Sequence, residues 1–250
     1  QFTRDGNLTK ITAADKTIIN YNSFNINRNE TVRFIQPSAT SKVLNRITSA
    51  DPTKINGTLQ ANGIVYIVNP AGVYFGNGAL VNVGGIYAAA GNISNADFNR
   101  GLNNFTQVSG AVDNKGKLTV APGGIGALVG KNVVNSGVIT ADRGVIAMVT
   151  GDEVVLNERG GVMSVRMNTS PAAGAPSPGS VGVHNSGKVQ ARGGTARIVA
   201  GDMYSLAVRN SGTVQASNID VAAKGAGDVS ISGKLDARNG GAGGTGGAIQ

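Results

Sequence analysis

The chain has 250 residues, of which 38 are glycine, and only 4% are aromatic and 14% charged. With no cysteine and one histidine, disulfides, thiol catalysis and multi-histidine metal sites are excluded. The formal net charge is +8, but the basic residues are scattered singly without aromatic neighbours, which argues against nucleic-acid binding and favours attraction to acidic surface glycans.

Two short runs near the start, Leu8–Thr12 and Lys16–Ile19, have the alternation typical of strands. The chain opens on Gln1 without an apolar signal core, so we expect a mature N-terminus left by removal of a signal peptide. No hydrophobic run approaches the roughly 18 residues of a membrane-spanning helix. With so few large rings, the core must be built from small and β-branched side chains in many thin layers.

A turn motif, Asn69-Pro70-Ala71-Gly72-Val73, interrupts an otherwise apolar stretch. Asn hydrogen-bonds its own backbone, Pro fixes φ, and Gly permits a positive φ. The pattern therefore predicts a buried strand that stops at a tight turn and restarts in a new direction.

Four further motifs precede this turn, in the order Phe24–Ile26, Glu30–Phe34, Val43–Thr48 and Ile55–Leu59. Over about residues 20–98, the set resembles the secretion domain at the N-terminus of two-partner-secretion exoproteins, the filamentous haemagglutinin and high-molecular-weight adhesin family. That family's turn is usually Asn-Pro-Asn-Gly-Ile, so Ala71 and Val73 depart from it. Its Asn-Pro-Asn-Leu motif has only Gln36–Ala39 as a counterpart here, which places the chain nearer the high-molecular-weight adhesin branch.

From residue 110 onward, a short motif recurs in which Asn is followed two residues later by Gly and then by an aliphatic run. Successive Asn residues are 21, 50 and 25 positions apart, so the long interval holds two coils or one coil with an insertion. Such periods predict a solenoid, and the Asn residues suit left-handed corners whose side-chain amides stack as a ladder. The predicted repeat corners are Asn114, Gly116, Asn135, Gly137, Asn185, Gly187, Asn210 and Gly212.

The predicted fold class is all-β, a right-handed parallel β-helix with an N-terminal β cap and loops outside the helix. One domain covers residues 1–250, with motif-bearing first coils over 21–98 and repeat coils over 99–238. The resemblance implies the cap over residues 1–20. The Gly-rich tail over 239–250 leads toward further repeats, and the proline-containing stretch 168–180 is expected to form a loop outside the solenoid.

No catalytic centre is predicted. Some β-helices are polysaccharide lyases or hydrolases that use clustered acids, but Asp152, Glu153, Asp202 and Asp220 share no obvious face. His184 flanks a repeat corner, where a solvent-facing residue is expected.

Two glycine runs, Gly123–Gly126 and Gly240–Gly243, lack the helix and the Gly-Lys-Ser/Thr sequence of a phosphate loop. Four aromatic residues near the turn, Tyr66, Tyr74, Phe75 and Tyr87, are expected to pack in the core or cap. We therefore predict no metal, no cofactor and no enzymatic activity.

The resemblance implies recognition, in an extended state, by the periplasmic POTRA domains of a TpsB-type outer-membrane transporter. The chain would emerge N-terminus first and fold outside a Gram-negative-type bacterium, secreted or at the cell surface, with residues 69–73 shaping the fold. A second hypothesis is a subunit that polymerises end to end into an extracellular fibre, and a carbohydrate-active enzyme is the third. A host or surface glycan, bound through a longer parent protein, is a further possible partner.

Overall fold

The computed structural model describes residues 1–159, 162–168, 181–201, 204–225, 227–238 and 247–250. The predicted loop after residue 168, Asp202 and the glycine run 240–243 lie outside the described residues. In the part that is described, no helix combines the length and the apolar composition needed to cross a membrane.

Nearly all of the regular structure consists of short strands. The first eleven are β1 (Phe2–Asp5), β2 (Leu8–Thr12), β3 (Thr17–Tyr21), β4 (Thr31–Ile35), β5 (Lys42–Ile47), β6 (Thr53–Ile55), β7 (Thr58–Ala61), β8 (Ile64–Val68), β9 (Val73–Phe75), β10 (Leu80–Val83) and β11 (Gly85–Ala89). Helix α1 (Asn95–Arg100) follows. The next nine strands are β12 (Asn103–Phe105), β13 (Ala111–Asn114), β14 (Lys117–Val120), β15 (Ile125–Gly130), β16 (Asn132–Asn135), β17 (Val138–Thr140), β18 (Val145–Thr150), β19 (Glu153–Arg159) and β20 (Val162–Asn168). The last seven are β21 (Val181–Asn185), β22 (Lys188–Ala200), β23 (Leu206–Asn210), β24 (Thr213–Ala223), β25 (Asp228–Ile231), β26 (Lys234–Asp236) and β27 (Ala248–Ile249).

The strands stack in parallel on three faces of a solenoid, which has about nine turns in the described residues. Face 1 contains β2, β4, β7, β10, β14, β17, residues 188–191 of β22, residues 213–216 of β24, and β26. Face 2 contains β3, β5, β8, β11, β15, β18, residues 195–200 of β22, residues 218–223 of β24, and β27. Face 3 contains β6, β9, β13, β16, β21, β23 and β25. The predicted all-β parallel β-helix is confirmed.

Alternate residues of each strand point into the solenoid, as the period of two requires. On face 1, Ile139, Val189 and Val214 stack in one buried row, whereas Val138 lies in the neighbouring outward row. At the N-terminal end, β1 pairs antiparallel with β2, so this edge of the first coil is covered rather than left open to further strand pairing.

A second apolar core lies outside face 2. The outward-facing residues Leu44, Tyr66 and Tyr87 are buried because α1 and an antiparallel sheet of β12, β19 and β20 cover them. Strands β19 and β20 also explain the 50-residue interval between repeats, since β16 pairs directly with β21. The interval is one coil with an insertion, and the alternative of two coils is excluded.

Candidate functional site

The turn Asn69–Val73 carries the chain from β8 on face 2 to β9 on face 3. The Gly72 amide donates to the Asn69 carbonyl at 2.9 Å, and the Ala71 amide donates to Asn69 Oδ1 at 3.0 Å. Gly72 has a φ of 123°, which side chains rarely adopt. The structure therefore has the predicted tight turn, in which the Asn69 side chain hydrogen-bonds the Ala71 backbone.

Asn69 is also the point where the turn is fixed to the rest of the solenoid. Its side chain is fully buried, and Nδ2 donates to the Asp51 carbonyl at 3.0 Å and to Thr53 Oγ1 at 3.1 Å, both in the preceding coil. Its backbone amide donates to the Ala89 carbonyl of the following coil at 3.0 Å. One residue thus joins three successive coils, while only Pro70 and Ala71 of the turn are half-exposed.

A buried asparagine ladder runs along one corner of the repeat coils. Nδ2 of Asn114 donates to Oδ1 of Asn135 at 2.8 Å, Asn135 donates to Asn185 at 2.7 Å, and Asn185 donates to Asn210 at 2.7 Å. Each of these residues is 0% exposed. Every bond points the same way, so the ladder satisfies buried amides and aligns four consecutive coils.

The predicted left-handed backbone at these corners is wrong, since none of the four Asn residues has a positive φ. The glycine that comes two residues after each Asn has a different role, which is close stacking. A Cβ on Gly137 would lie 2.1 Å from the Gly116 carbonyl oxygen, and one on Gly187 would lie 2.1 Å from that of Gly137. Glycine is needed here because adjacent coils touch backbone to backbone, with no space for a side chain.

Two of the four aromatic residues near the turn pack in the second core. Tyr66 and Tyr87 stack with ring centroids 4.4 Å apart, and Phe98 of α1 meets Tyr66 edge-on at 5.2 Å. Asn103 accepts from the Tyr66 hydroxyl at 2.8 Å. Phe75 is buried in the solenoid and Tyr74 is half-exposed on face 3, so all but Tyr74 pack as expected.

Helix α1 was missed by the sequence reasoning, although its signals are present. Ser94 accepts from the Asp97 amide at 3.0 Å as the N-cap, and Gly101 ends the helix in a left-handed conformation. The hydroxyl of Ser94 and the guanidinium of Arg100 hold the pKa of Asp97 below its usual value. A Ser-x-x-Asp sequence before a Gly is a local helix signal even in a glycine-rich chain.

Two of the acidic residues considered for catalysis lie in separate ion pairs, and a third, Glu153, accepts a hydrogen bond from Asn168 Nδ2 at 2.9 Å. Asp152 pairs with Lys131, and Asp220 pairs with Arg197 at 3.2 Å. His184 lies on the outward row of face 3, where burial lowers its pKa and Arg209 lowers it further. Among the described residues, no group of three or more His, Cys, Asp or Glu side chains could hold a metal ion.

Comparison with known proteins gives a consistent assignment. Residues 4–242 match the family model described as the TPS secretion domain. A heme/hemopexin-binding protein of Haemophilus influenzae is 37% identical over 134 residues, which are 50% of this chain and 15% of that relative. A second protein of that name and species is 35% identical over 94 residues, or 38% of this chain and 10% of the relative.

Among solved structures, the crystal structure of the HMW1 secretion domain from Haemophilus influenzae matches with a TM-score of 0.81 and 29% sequence identity. The match covers 94% of this chain and 63% of that one. The fold is therefore shared over nearly the whole chain, while the chain spans only a small part of the curated relatives that it matches.

Proposed function

This chain belongs to the TPS secretion domain family, and from that membership we propose that it directs the export of a larger surface exoprotein through a cognate TpsB-type outer-membrane transporter. The observation that carries the proposal is the family match over residues 4–242, supported by the likeness to the HMW1 secretion domain over 94% of the chain. Export runs through the periplasm and outer membrane of a Gram-negative-type bacterium, and the product is secreted or stays at the cell surface.

Recognition takes place before the chain folds. An extended segment offers unpaired backbone amides and carbonyls, which the POTRA domains of the transporter engage by adding it to an exposed sheet edge. In the folded solenoid those same groups are used between coils, as in the five-residue register of β2 with β4. The absence of cysteine suits this route, because no disulfide can fix the chain in the oxidising periplasm.

Outside the cell, the domain nucleates the folding of the remainder of the exoprotein. In a solenoid each coil packs only on its neighbours, so the first stable coils provide an edge on which the next coil forms. Asn69 contributes by joining its own coil to the preceding and following ones through side-chain and backbone bonds. The turn therefore acts on export through folding, with no direct contact to the transporter.

The role proposed here is non-enzymatic. Two of the acidic side chains weighed for a β-helix enzyme are held apart in separate ion pairs, Asp152 with Lys131 and Asp220 with Arg197. These two carboxylates therefore do not form with each other the acid and base pair that glycoside cleavage uses.

A second candidate function is end-to-end assembly into a fibre. In such a fibre, a second copy would pair with the strand edges of the last coil in the way that the coils of one chain pair with each other, as in the register of β24 with β26. Growth of purified chain into filaments, seen by electron microscopy and lost on Ile231→Lys, would support this alternative.

The main proposal is tested by measuring binding to the isolated POTRA domains of the cognate transporter. Chain freshly diluted from denaturant should bind before it refolds, and fully refolded chain should bind at least about tenfold more weakly, because its strand edges are already paired. Equal binding of the two forms would show that the folded surface is recognised instead. No binding of either form would remove the transporter from the proposal.

A further inference from the structure

Charge is unevenly distributed among the three faces of the solenoid. The register of face 1 places two outward rows side by side, and they carry five basic side chains but only one acid in the described residues. The basic members are Lys10, Arg33, Lys117, Lys188 and Lys234, and the acid is Asp236. Asp236 is already bound by Arg238, whose Nε donates to Oδ1 at 2.6 Å.

The other faces have no comparable surface in the part of the chain that the structure describes. Face 2 is covered along much of its length by α1 and the antiparallel sheet. The outward row of face 3 mixes both signs, with Lys54 and Arg209 but also Asp113. Face 1 is therefore the open basic face of a chain whose formal net charge is +8.

A shallow groove of about 700 Å³ follows the corner between faces 3 and 1. The serines that follow the ladder asparagines, together with Ser232 of the next coil, line one side, and Lys188 and Lys234 line the other. The glycines between them leave the floor without side chains. The groove crosses four successive coils, so it fits a linear partner lying along the solenoid.

The two lysines that line this groove belong to a regularly spaced row on face 1. Lys117, Lys188 and Lys234 occupy the same position in alternate coils, with Val138 and Thr213 in the coils between. Neighbouring strands are about 4.8 Å apart, so the three ammonium-bearing positions recur about every 10 Å. Within the described residues, no salt bridge involves Lys117 or Lys188, and Lys234 is 3.6 Å from Asp236.

From this arrangement we infer that face 1 and its serine-lined groove bind an extended acidic polysaccharide. Its anionic groups meet the lysine row, and its hydroxyl groups exchange hydrogen bonds with Ser136, Ser186 and the neighbouring serines. A flexible chain can follow the groove over its four coils, whereas a flat lipid surface would contact the outward rows and not the groove. The site belongs to the folded solenoid and is independent of recognition by a transporter.

The test compares two triple variants that lose the same charge. The first, Lys117→Gln, Lys188→Gln and Lys234→Gln, removes the lysine row. The matched control, Lys54→Gln, Arg209→Gln and Lys224→Gln, removes three cations away from face 1. Binding to heparin, with neutral dextran as a blank, is measured by surface plasmon resonance from about 50 mM to about 300 mM sodium chloride. Circular dichroism verifies that both variants fold.

The lysine-row variant should lose about tenfold or more of its heparin affinity and most of the salt dependence, and the control should lose less than about threefold. Equal losses would mean that net charge alone attracts the polysaccharide and would overturn the inference. Unchanged binding in both variants would also overturn it. Tighter binding of the unmodified chain to phosphatidylglycerol vesicles than to heparin, lost in the same variant, would replace the polysaccharide by a membrane.

Discussion

Replacing Asn69 by alanine should destabilise the domain and reduce export together. The substitution removes three side-chain hydrogen bonds, to the Asp51 carbonyl, the Thr53 hydroxyl and the Ala71 amide, at a position with no solvent exposure. A hydrogen bond contributes a net of about 0.5–1.5 kcal/mol to stability, and a buried partner left unpaired costs more. We therefore expect the free energy of unfolding to fall by about 2–5 kcal/mol. For a chain of this size, that corresponds to a fall in Tm of roughly 5–15 °C.

The assay follows thermal unfolding by circular dichroism and, in parallel, the amount exported from cells that contain the cognate transporter. Asn77→Ala is the matched control, because Asn77 is exposed and close in sequence, and it should change the stability by less than about 0.5 kcal/mol. An unchanged Tm for Asn69→Ala would show that these three hydrogen bonds do not stabilise the domain. A normal Tm with export abolished would mean that the transporter contacts this turn directly.

Three further predictions concern single residues. Gly187→Ala should prevent normal stacking of the coils, because the new Cβ would lie 2.1 Å from the Gly137 carbonyl oxygen. Gly126→Ala is the control and should be tolerated, because the closest contact of its Cβ would be 3.4 Å. The denaturant midpoint should therefore be lower for Gly187→Ala, and equal midpoints would contradict the stacking role. Gly72→Val should lower the free energy of unfolding by about 1 kcal/mol or more, because Gly72 has a positive φ. The new Cβ would also lie 2.9 Å from the Ala111 carbonyl oxygen, which should lower the Tm beyond the effect of φ alone. The pKa of His184 is lower in the folded state than in the unfolded chain. As the pH falls below about 6.5, the unfolded chain therefore binds a proton more readily than the folded chain, and the folded state becomes less stable. The Tm of the natural chain should therefore drop slightly more between about pH 7 and pH 5 than that of His184→Gln, and an opposite difference would contradict the assigned direction.

The solenoid was predictable because its coils repeat in the sequence. Asn135, Asn185 and Asn210 recur with the same Gly two residues later, and this recurrence reflects a physical row of stacked amides. The turn at Asn69 was predictable for a different reason, since Asn, Pro and Gly have local conformational preferences that tertiary packing did not override.

The covering layer on face 2 was not predicted, because its elements carry no repeat. Tyr66 and Tyr87 lie on the outward side of their strands, so period-two alternation alone gives no sign that Phe98 and Phe105 would bury them. The stacking role of Gly187 was missed for a related reason. A glycine in a sequence signals either a positive φ or a close approach, and only the position of the neighbouring coil distinguishes them.

The recognisable motifs lie before residue 98, so we predict that residues 1–98 carry the transporter-specific information and that the coils after them are generic. Grafting residues 1–98 onto the later coils of a related exoprotein should therefore transfer dependence on this chain's own transporter. A hybrid that still requires the other transporter would place the information in the later coils.

Export in the presence and in the absence of the cognate transporter shows whether this domain depends on that transporter. The chain, preceded by a signal peptide, is produced in a Gram-negative host that contains the cognate transporter, an unrelated one or none, and its amounts in the periplasm and outside the cell are measured. We expect folded chain outside the cell only with the cognate transporter, and periplasmic retention otherwise. Equal release in all three hosts would show that the domain leaves the cell without a cognate transporter.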